Sequence, residues 1–373
     1  MVVCLNSGSG TSPTYPKQML CSSAPVVRLL CACGRSVTLQ GDKFVCQCGI
    51  LLGQMEDSVA VVPPPTPYWG EIPADEMQDL LSAARQIGWR EAVQRTSEAM
   101  RENIMNPNRA AFQDLLPIPE GSTILDVGAG MGGLSVEMAL RHQVVALESV
   151  PQRARFISLR KVQDHLSNLT VLNADLNVVR FDSAQFDAIV VNGVLEWVGL
   201  FDMTVTPDVA QRRFLKALAA ALKPSGVIYI GIENRIGIAQ FRGAVDHGGL
   251  RYTSLLPRFL ARYVCRREAR YRSALNVGYR TYTYTFYGYR RLFRTAGLDI
   301  VYTWIPPLGY NLPKDLVPLT KAAIQLYVNS RSISPPVGTR AIIKNCIKRV
   351  FARPLFWRLF GSDFAFLLQS RNA

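Results

Sequence analysis

The residues best suited to chemistry lie in one run, Ile124-Leu-Asp-Val-Gly-Ala-Gly-Met-Gly-Gly-Leu-Ser135. Ile124 to Val127 are apolar except for Asp126 and read as a buried strand, and Leu134 to Leu140 continue as an amphipathic helix. Between them Gly128, Gly130 and Gly132 let the backbone bend tightly and approach a ligand with no Cβ in the way. The turn therefore reads as a cradle for a nucleotide-like cofactor. Gly128, Gly130 and Gly133 also satisfy the G-x-G-x-x-G spacing of dinucleotide folds, so the glycines alone leave the cofactor open.

Three acids at strand ends narrow the choice. Asp126 stands two residues before the first glycine, where a carboxylate can meet the cationic amino-acid end of S-adenosylmethionine and where a dehydrogenase carries an apolar residue. Glu148 closes a second apolar strand, Val144 to Glu148, and is placed to accept hydrogen bonds from ribose hydroxyls of either cofactor. Asp175 closes a third, Leu169 to Asp175. In this order the acids and the glycine turn resemble class I S-adenosylmethionine-dependent methyltransferases over residues 121–305. The resemblance implies that Asp175 faces the adenine amino group, with Leu176 beside it, and that Asn192 supports the methionine end. The expected cofactor set is thus Asp126, Gly128, Gly130, Gly132, Glu148, Asp175, Leu176 and Asn192.

Ala188 to Val198 resembles the fourth strand and following loop of that family, and Phe214 to Gly226 its helix and turn before strand five. Gly231-Ile-Glu-Asn-Arg-Ile-Gly237, with Asp246-His-Gly-Gly249, resembles a narrower subgroup found with bacterial cell-surface polysaccharide genes. That subgroup implies O-methylation of a sugar or polysaccharide precursor, hence a small-molecule or glycan acceptor. Two other functions stay open: an RNA methyltransferase with a basic face as its platform, and a noncatalytic cofactor-binding subunit that regulates a partner.

Ligands of such a sheet bind at the carboxyl ends of its strands, which selects Asn192, Glu196 and Trp197 after strand four and Glu233, Asn234 and Arg235 after strand five. A hydroxyl acceptor needs a base, and His247, in a polar glycine-flanked segment, has the suitable type. Glu233 and Asp246 are rival bases. Glu196, Asn234 and Arg235 are expected to contact substrate, although Asn234 and Arg235 equally suit a helix cap near Ile236. Trp197 reads equally as packing. The Asn-Gly-Val-Leu-Glu-Trp run is not the N-P-P-Y motif of enzymes that methylate exocyclic amines, which weakens a nucleic-acid amino-group acceptor.

A second chemical cluster is Cys31-Ala-Cys33-Gly34 with Cys46-Gln-Cys48-Gly49. Four thiolates suit tetrahedral zinc, and each glycine lets backbone amides turn toward sulfur. The pairs resemble zinc knuckles of ribbons that precede some methyltransferase domains, with the departure that the spacing is C-x-C where C-x-x-C is usual. The expectation is structural Zn2+ on Cys31, Cys33, Cys46 and Cys48, because four sulfurs leave no open position for catalysis; a degenerate ribbon with reduced cysteines is the alternative.

The elements that position these residues alternate between strand and helix. The fold class expected is α/β: a Rossmann-like doubly wound seven-stranded sheet, mostly parallel with an antiparallel last strand, behind a small zinc-ribbon-like module. The parts are a flexible N-terminus (1–24), the ribbon (25–62), a linker and helical cap (63–120) and the catalytic domain (121–373), with insertions at 236–288 and 306–362. Helices are expected at 74–87 and 89–103, either capping the cofactor or packing on the sheet. Residues 251–373 hold 21 Lys and Arg against 4 Asp and Glu, a basic region able to attract phosphate groups of RNA, nucleotide sugars or lipids. Its Tyr279, Tyr282, Tyr284, Phe286, Tyr287 and Tyr289 suit stacking on sugars or bases, or packing in the core. The basic amphipathic stretch 339–360 suits peripheral contact with an anionic membrane, or packing on the protein. No run reaches 18 apolar residues, and no signal-peptide pattern opens the chain. A cytoplasmic protein is expected, peripheral at the inner membrane surface if that stretch binds lipid.

Overall fold

The structure, a computed structural model, describes residues 3–4, 25, 27–62, 68, 72–175, 180–247, 249–267, 279–331 and 348–371. Leu176, the proline linker 63–67, most of 1–24 and residues 339–347 of the basic stretch lie outside them. The chain divides into two compact units: Leu5–Val190 with Ala220–Val227, and Met1–Cys4 with Val191–Ala219 and Ile228–Ala373. In chain order β1 (Val3–Cys4) belongs to the second unit, and β2 (Leu29–Leu30) opens the first.

In the first unit β3 (Val37–Gln40), β4 (Lys43–Cys46), β5 (Leu51–Glu56) and β6 (Val59–Val61) form an antiparallel meander around the cysteines. Three parallel strands follow, β7 (Thr123–Val127), β8 (Gln143–Glu148) and β9 (Leu169–Asn173), almost uninterruptedly apolar as expected for strands buried on both faces. The meander is not a separate module ahead of a linker. β6 pairs in parallel with β9, Val59 opposite Val171 and Val61 opposite Asn173, so the ribbon is stitched into the edge of this sheet. β10 (Arg180–Phe181) pairs with β2, and Arg28 meets Asp182 at 3.1 Å beside that contact.

The helix expected at 74–87 is found with those bounds, as α1 (Ala74–Ile87), between Pro73 and Gly88. The helix expected at 89–103 is broken into α2 (Trp89–Gln94) and α3 (Glu98–Met105), because Ser97 leaves the helix to accept a hydrogen bond from the Met100 amide at 3.3 Å. These helices bury Met77, Leu81, Trp89, Val93 and Ile104 against Phe156 of α5 (Pro151–Gln163), with α4 (Gly133–Ala139) preceding α5 in the chain. They are therefore packed on a helix of their own unit.

The strands β11 (Phe186–Asn192) and β12 (Leu222–Glu233) and the intervening α6 (Pro207–Ala221) run across the points of division. In the second unit the order is β1, β14 (Asp315–Pro318), β13 (Leu298–Ile305), β15 (Asp363–Ser370), β12. β15 lies antiparallel to β13, Leu298 opposite Ser370, as expected of a last strand. All seven expected strands exist, and β1, β14 and the ribbon strands extend them. The expected insertions carry α7 (Ile238–Phe241), α8 (Arg258–Arg267), α10 (Lys321–Ser330) and α11 (Pro354–Phe360), while α9 (Phe286–Thr295) begins at the end of the first insertion and leads into β13. Pro354 starts α11, where its missing N–H costs nothing. Among the described residues no helix is long and apolar enough to cross a membrane.

The aromatic stretch packs in the core. Tyr279 and Tyr282 are buried with Ala261 and Cys265, Phe286 stacks among Phe364 and Phe366, and only Tyr287 of the six is largely exposed.

Candidate active site

In the first unit Asp126, next to last in β7, is buried, and its Oδ2 accepts a 2.5 Å hydrogen bond from Ser135 Oγ in the first turn of α4. Burial pushes the Asp126 carboxyl up to about 7, against the opposing pull of the Ser135 bond and of Arg109. The turn then takes Gly128, Gly130 and Gly132 through left-handed φ values of 67°, 58° and 77°. At Gly130 an added Cβ meets nothing within 4 Å, whereas at Gly133 it would stand 2.4 Å from the Asn103 carbonyl. Gly133 is therefore required by packing, and Gly130 leaves open space in front of its backbone. That open face beside a buried carboxylate fits S-adenosylmethionine, which supplies an electrophilic methyl when bound.

Glu148, buried at the end of β8, accepts from Gly130 N and Val150 N, both at 2.8 Å, one on each oxygen. It holds the glycine turn, and each oxygen keeps a second lone pair for a ribose hydroxyl. Asp175 lies half-buried just past β9. Two residues of this cradle escaped the sequence reading. Asn173 donates to the Glu148 carbonyl at 2.8 Å, and the buried guanidinium of Arg160 bonds the Met131 carbonyl at 2.6 Å and the Ile104 carbonyl at 3.3 Å while stacking on Trp89 at 4.2 Å. Arg160 looks like a solvated helix residue in the sequence, since nothing local reveals that carbonyls from the glycine turn and from α3 converge on it.

In the second unit the residues after strands four and five converge. His247 Nε2 lies 3.2 Å from Glu233 Oε1 and 3.7 Å from Glu196 Oε1, and its ring packs edge-on against Trp197 with centroids 4.6 Å apart. Tyr310 donates to Glu233 Oε1 at 2.8 Å, and Tyr289 to the Glu233 carbonyl at 3.0 Å. Burial, reinforced by Glu233, pushes Glu196 up to about 8. Burial opposes charge on Glu233 and His247 alike, yet their mutual attraction prevails: Glu233 is held below its ordinary value and His247 is raised to about 9. Tyr310 was missed as well, lying far along the chain in a short loop after β13.

Other expected site residues have partners within the chain. Asn234 is fully buried, its Nδ2 donating to the Leu359 and Gly361 carbonyls at 2.9 and 2.8 Å and its Oδ1 accepting from Ile236 N at 3.3 Å. It clasps the C-terminal end of α11, and both of its amide hydrogens are engaged there. Arg235 likewise bonds the Ser254 and Leu256 carbonyls at 2.7 and 2.5 Å. Asp246 accepts from the Thr253 hydroxyl and from Leu250 N, which shapes the loop that carries His247. Asn192 bonds Asn311 at 3.4 Å.

The four ribbon cysteines close on one another, with Sγ separations of 3.5 Å (Cys33 to Cys46) and 3.9 Å (Cys31 to Cys48). Sulfurs bound tetrahedrally at about 2.3 Å stand roughly 3.8 Å apart, so the set fits zinc. Gly34 and Gly49 take φ values of 81° and 89° and return their amides to the Cys31 and Cys46 carbonyls at 2.8 Å.

Residues 125–230 match the family model described as a methyltransferase domain. A ubiquinone biosynthesis O-methyltransferase of Xanthomonas axonopodis pv. citri is 28% identical over 132 residues, 35% of this chain and 51% of that protein. N-methyltransferase 4 of Papaver somniferum is 34% identical over 83 residues, 21% of this chain and 23% of that one. Among solved structures, a putative sarcosine dimethylglycine methyltransferase from Galdieria sulphuraria is similar over 80% of this chain and 99% of that one, at 16% identity and a TM-score of 0.41. The chain spans about half the length of the O-methyltransferase it matches. Residues 125–230 are thus a class I S-adenosylmethionine-dependent methyltransferase domain.

Proposed function

We propose that this chain transfers the methyl group of S-adenosylmethionine to a hydroxyl of a sugar or polysaccharide precursor. The observation that carries the reading is the convergence of Glu233 and His247 at 3.2 Å with buried Glu196 beside them, a cluster suited to receiving an acceptor hydroxyl and its proton. The new bond joins the acceptor oxygen to the methyl carbon, the sulfonium S–C bond breaks, and the hydroxyl proton passes to the cluster. On this reading Asp126, the glycine turn, Glu148 and Asp175 hold the cofactor. Zn2+ on Cys31, Cys33, Cys46 and Cys48 serves the fold of the ribbon, since a four-sulfur site has no open position.

The test is methylation with labelled donor across sugar, lipid and RNA acceptors, alongside calorimetry with S-adenosylhomocysteine and NAD. A labelled glycan with S-adenosylhomocysteine bound supports the reading. Labelled RNA, with strongly salt-dependent RNA binding, replaces the acceptor, and NAD binding in place of S-adenosylhomocysteine removes the cofactor assignment.

A further inference from the structure

We propose that Glu196, Glu233 and His247 form a binding site for a divalent cation of the Mn2+ type. This rests on reading the same cluster as the place that receives the acceptor. One ligand atom from each of the three residues falls in a group whose members all lie within 4.8 Å of one another. A cation held at about 2.1 Å sets neighbouring ligand atoms roughly 3.0 to 3.4 Å apart. The His247 to Glu233 and His247 to Glu196 separations of 3.2 and 3.7 Å need little movement to meet that.

A second observation is independent of the spacing. Glu196 is 0% exposed, and among the described residues both of its carboxylate oxygens are buried with no hydrogen-bond partner. The Oε2 of Glu233 is buried and unpartnered in the same way. A carboxylate buried in this condition is unfavourable unless a proton or something positive meets it. His247 is the one basic side chain within 4.0 Å of either acid among the described residues, and Asp363 is close enough to act electrostatically on Glu196. Three acids crowd one imidazole inside the protein, so the cluster is neutralised by protons or by a cation, and three oxygens await a partner. Two carboxylates and one imidazole form an oxygen-rich set with a single nitrogen, which favours Mn2+ over the softer ions that thiolates select.

The cation binds the acceptor oxygen and eases departure of its proton to the uncoordinated carboxylate oxygen of Glu233, while the O–C bond forms and the S–C bond of the donor breaks. His247 then serves as a ligand, and the carboxylate takes the proton.

The experiment titrates Mn2+ into the full chain after treatment with a chelator, following the electron paramagnetic resonance signal of free Mn2+, with S-adenosylhomocysteine binding measured in parallel as a check on the fold. The expected result is one Mn2+ per chain, weakened at least about tenfold in Glu196→Gln while S-adenosylhomocysteine affinity holds. Absence of stoichiometric Mn2+ binding overturns the site, as does equal binding by wild type and Glu196→Gln. Should Glu196→Gln lose S-adenosylhomocysteine binding, Glu196→Asp, which keeps the carboxylate, provides the comparison: Mn2+ binding retained supports the site and Mn2+ binding lost with the fold intact overturns it. Mn2+ binding without methylation of any hydroxyl acceptor removes the acceptor reading and keeps the site. Methyl transfer by the Mn2+-free chain at the rate of the loaded chain keeps the reading and removes the cation from the reaction.

Discussion

Gln211 of α6 donates to the Leu195 carbonyl at 2.8 Å and thereby holds the short turn on which Glu196 sits. The same amide nitrogen reaches the Tyr282 carbonyl at 2.9 Å, buried, and Tyr284, half-buried, donates to Gln211 Oε1 at 2.7 Å. Replacing Gln211 with Leu strands two carbonyls and a hydroxyl. A loss of about 1–3 kcal/mol of stability follows, read from urea unfolding, together with lower methyl transfer. Replacing Arg28, whose ion pair with Asp182 is exposed, costs under about 1 kcal/mol in the same assay.

Asp126 links cofactor binding to pH. Its carboxyl, near 4 in an unfolded chain, is pushed up to about 7 by burial, so the folded state holds the proton more tightly. Its contribution to stability therefore declines as pH rises from about 4 to about 7 and is constant above. The ionised form attracts the cationic end of the cofactor, so S-adenosylhomocysteine affinity rises over that window and levels off. Calorimetry at several pH values shows the slope in the wild type and its disappearance in Asp126→Asn; a slope that survives the substitution assigns it to another group.

Two glycines of the turn separate binding from folding. In Gly133→Ala the new methyl collides with the Asn103 carbonyl and approaches the Arg109 guanidinium at 2.8 Å, so the thermal midpoint falls. In Gly130→Ala the methyl enters open space and costs about 1–2 kcal/mol for the left-handed backbone, while S-adenosylhomocysteine affinity drops because the approach face is filled. Equal affinities for wild type and Gly130→Ala exclude that face from the cofactor site.

Zinc content is the check on the ribbon. Elemental analysis is expected to find one Zn2+ per chain, and Cys48→Ser to lose it with a lowered thermal midpoint. Because β6 pairs with β9, hydrogen exchange at Val171 and Asn173 should quicken in that variant. Full zinc occupancy in Cys48→Ser removes that cysteine from the ligand set.

Elements with strong local punctuation were legible from residues alone. α1, Ala74–Ile87, keeps the bounds expected of it because Pro73 and Gly88 punctuate its two ends. The glycine turn and its acids were legible for the same reason, since a backbone that bends there needs glycine. Partnerships between distant residues were not. Tyr310 and Glu233, or Arg160 and Met131, meet only because the tertiary fold brings a loop to a strand end, and a buried polar side chain looks in sequence like a solvated one. Asn234 shows the opposite error, for a polar residue just after a strand suggests a ligand contact and here makes a clasp. Ser97, able either to continue a helix or to cap one, was decided by its own hydroxyl.

The pairing of Val59–Val61 with Val171–Asn173 also bears on how the chain can be shortened. Removing the first 62 residues would strip β9 of a neighbour and bare a row of amides and carbonyls on an apolar strand, a ready template for intermolecular pairing. The ribbon is thus a guard against self-association as much as an appendage, and a trimmed enzyme would trade solubility for size.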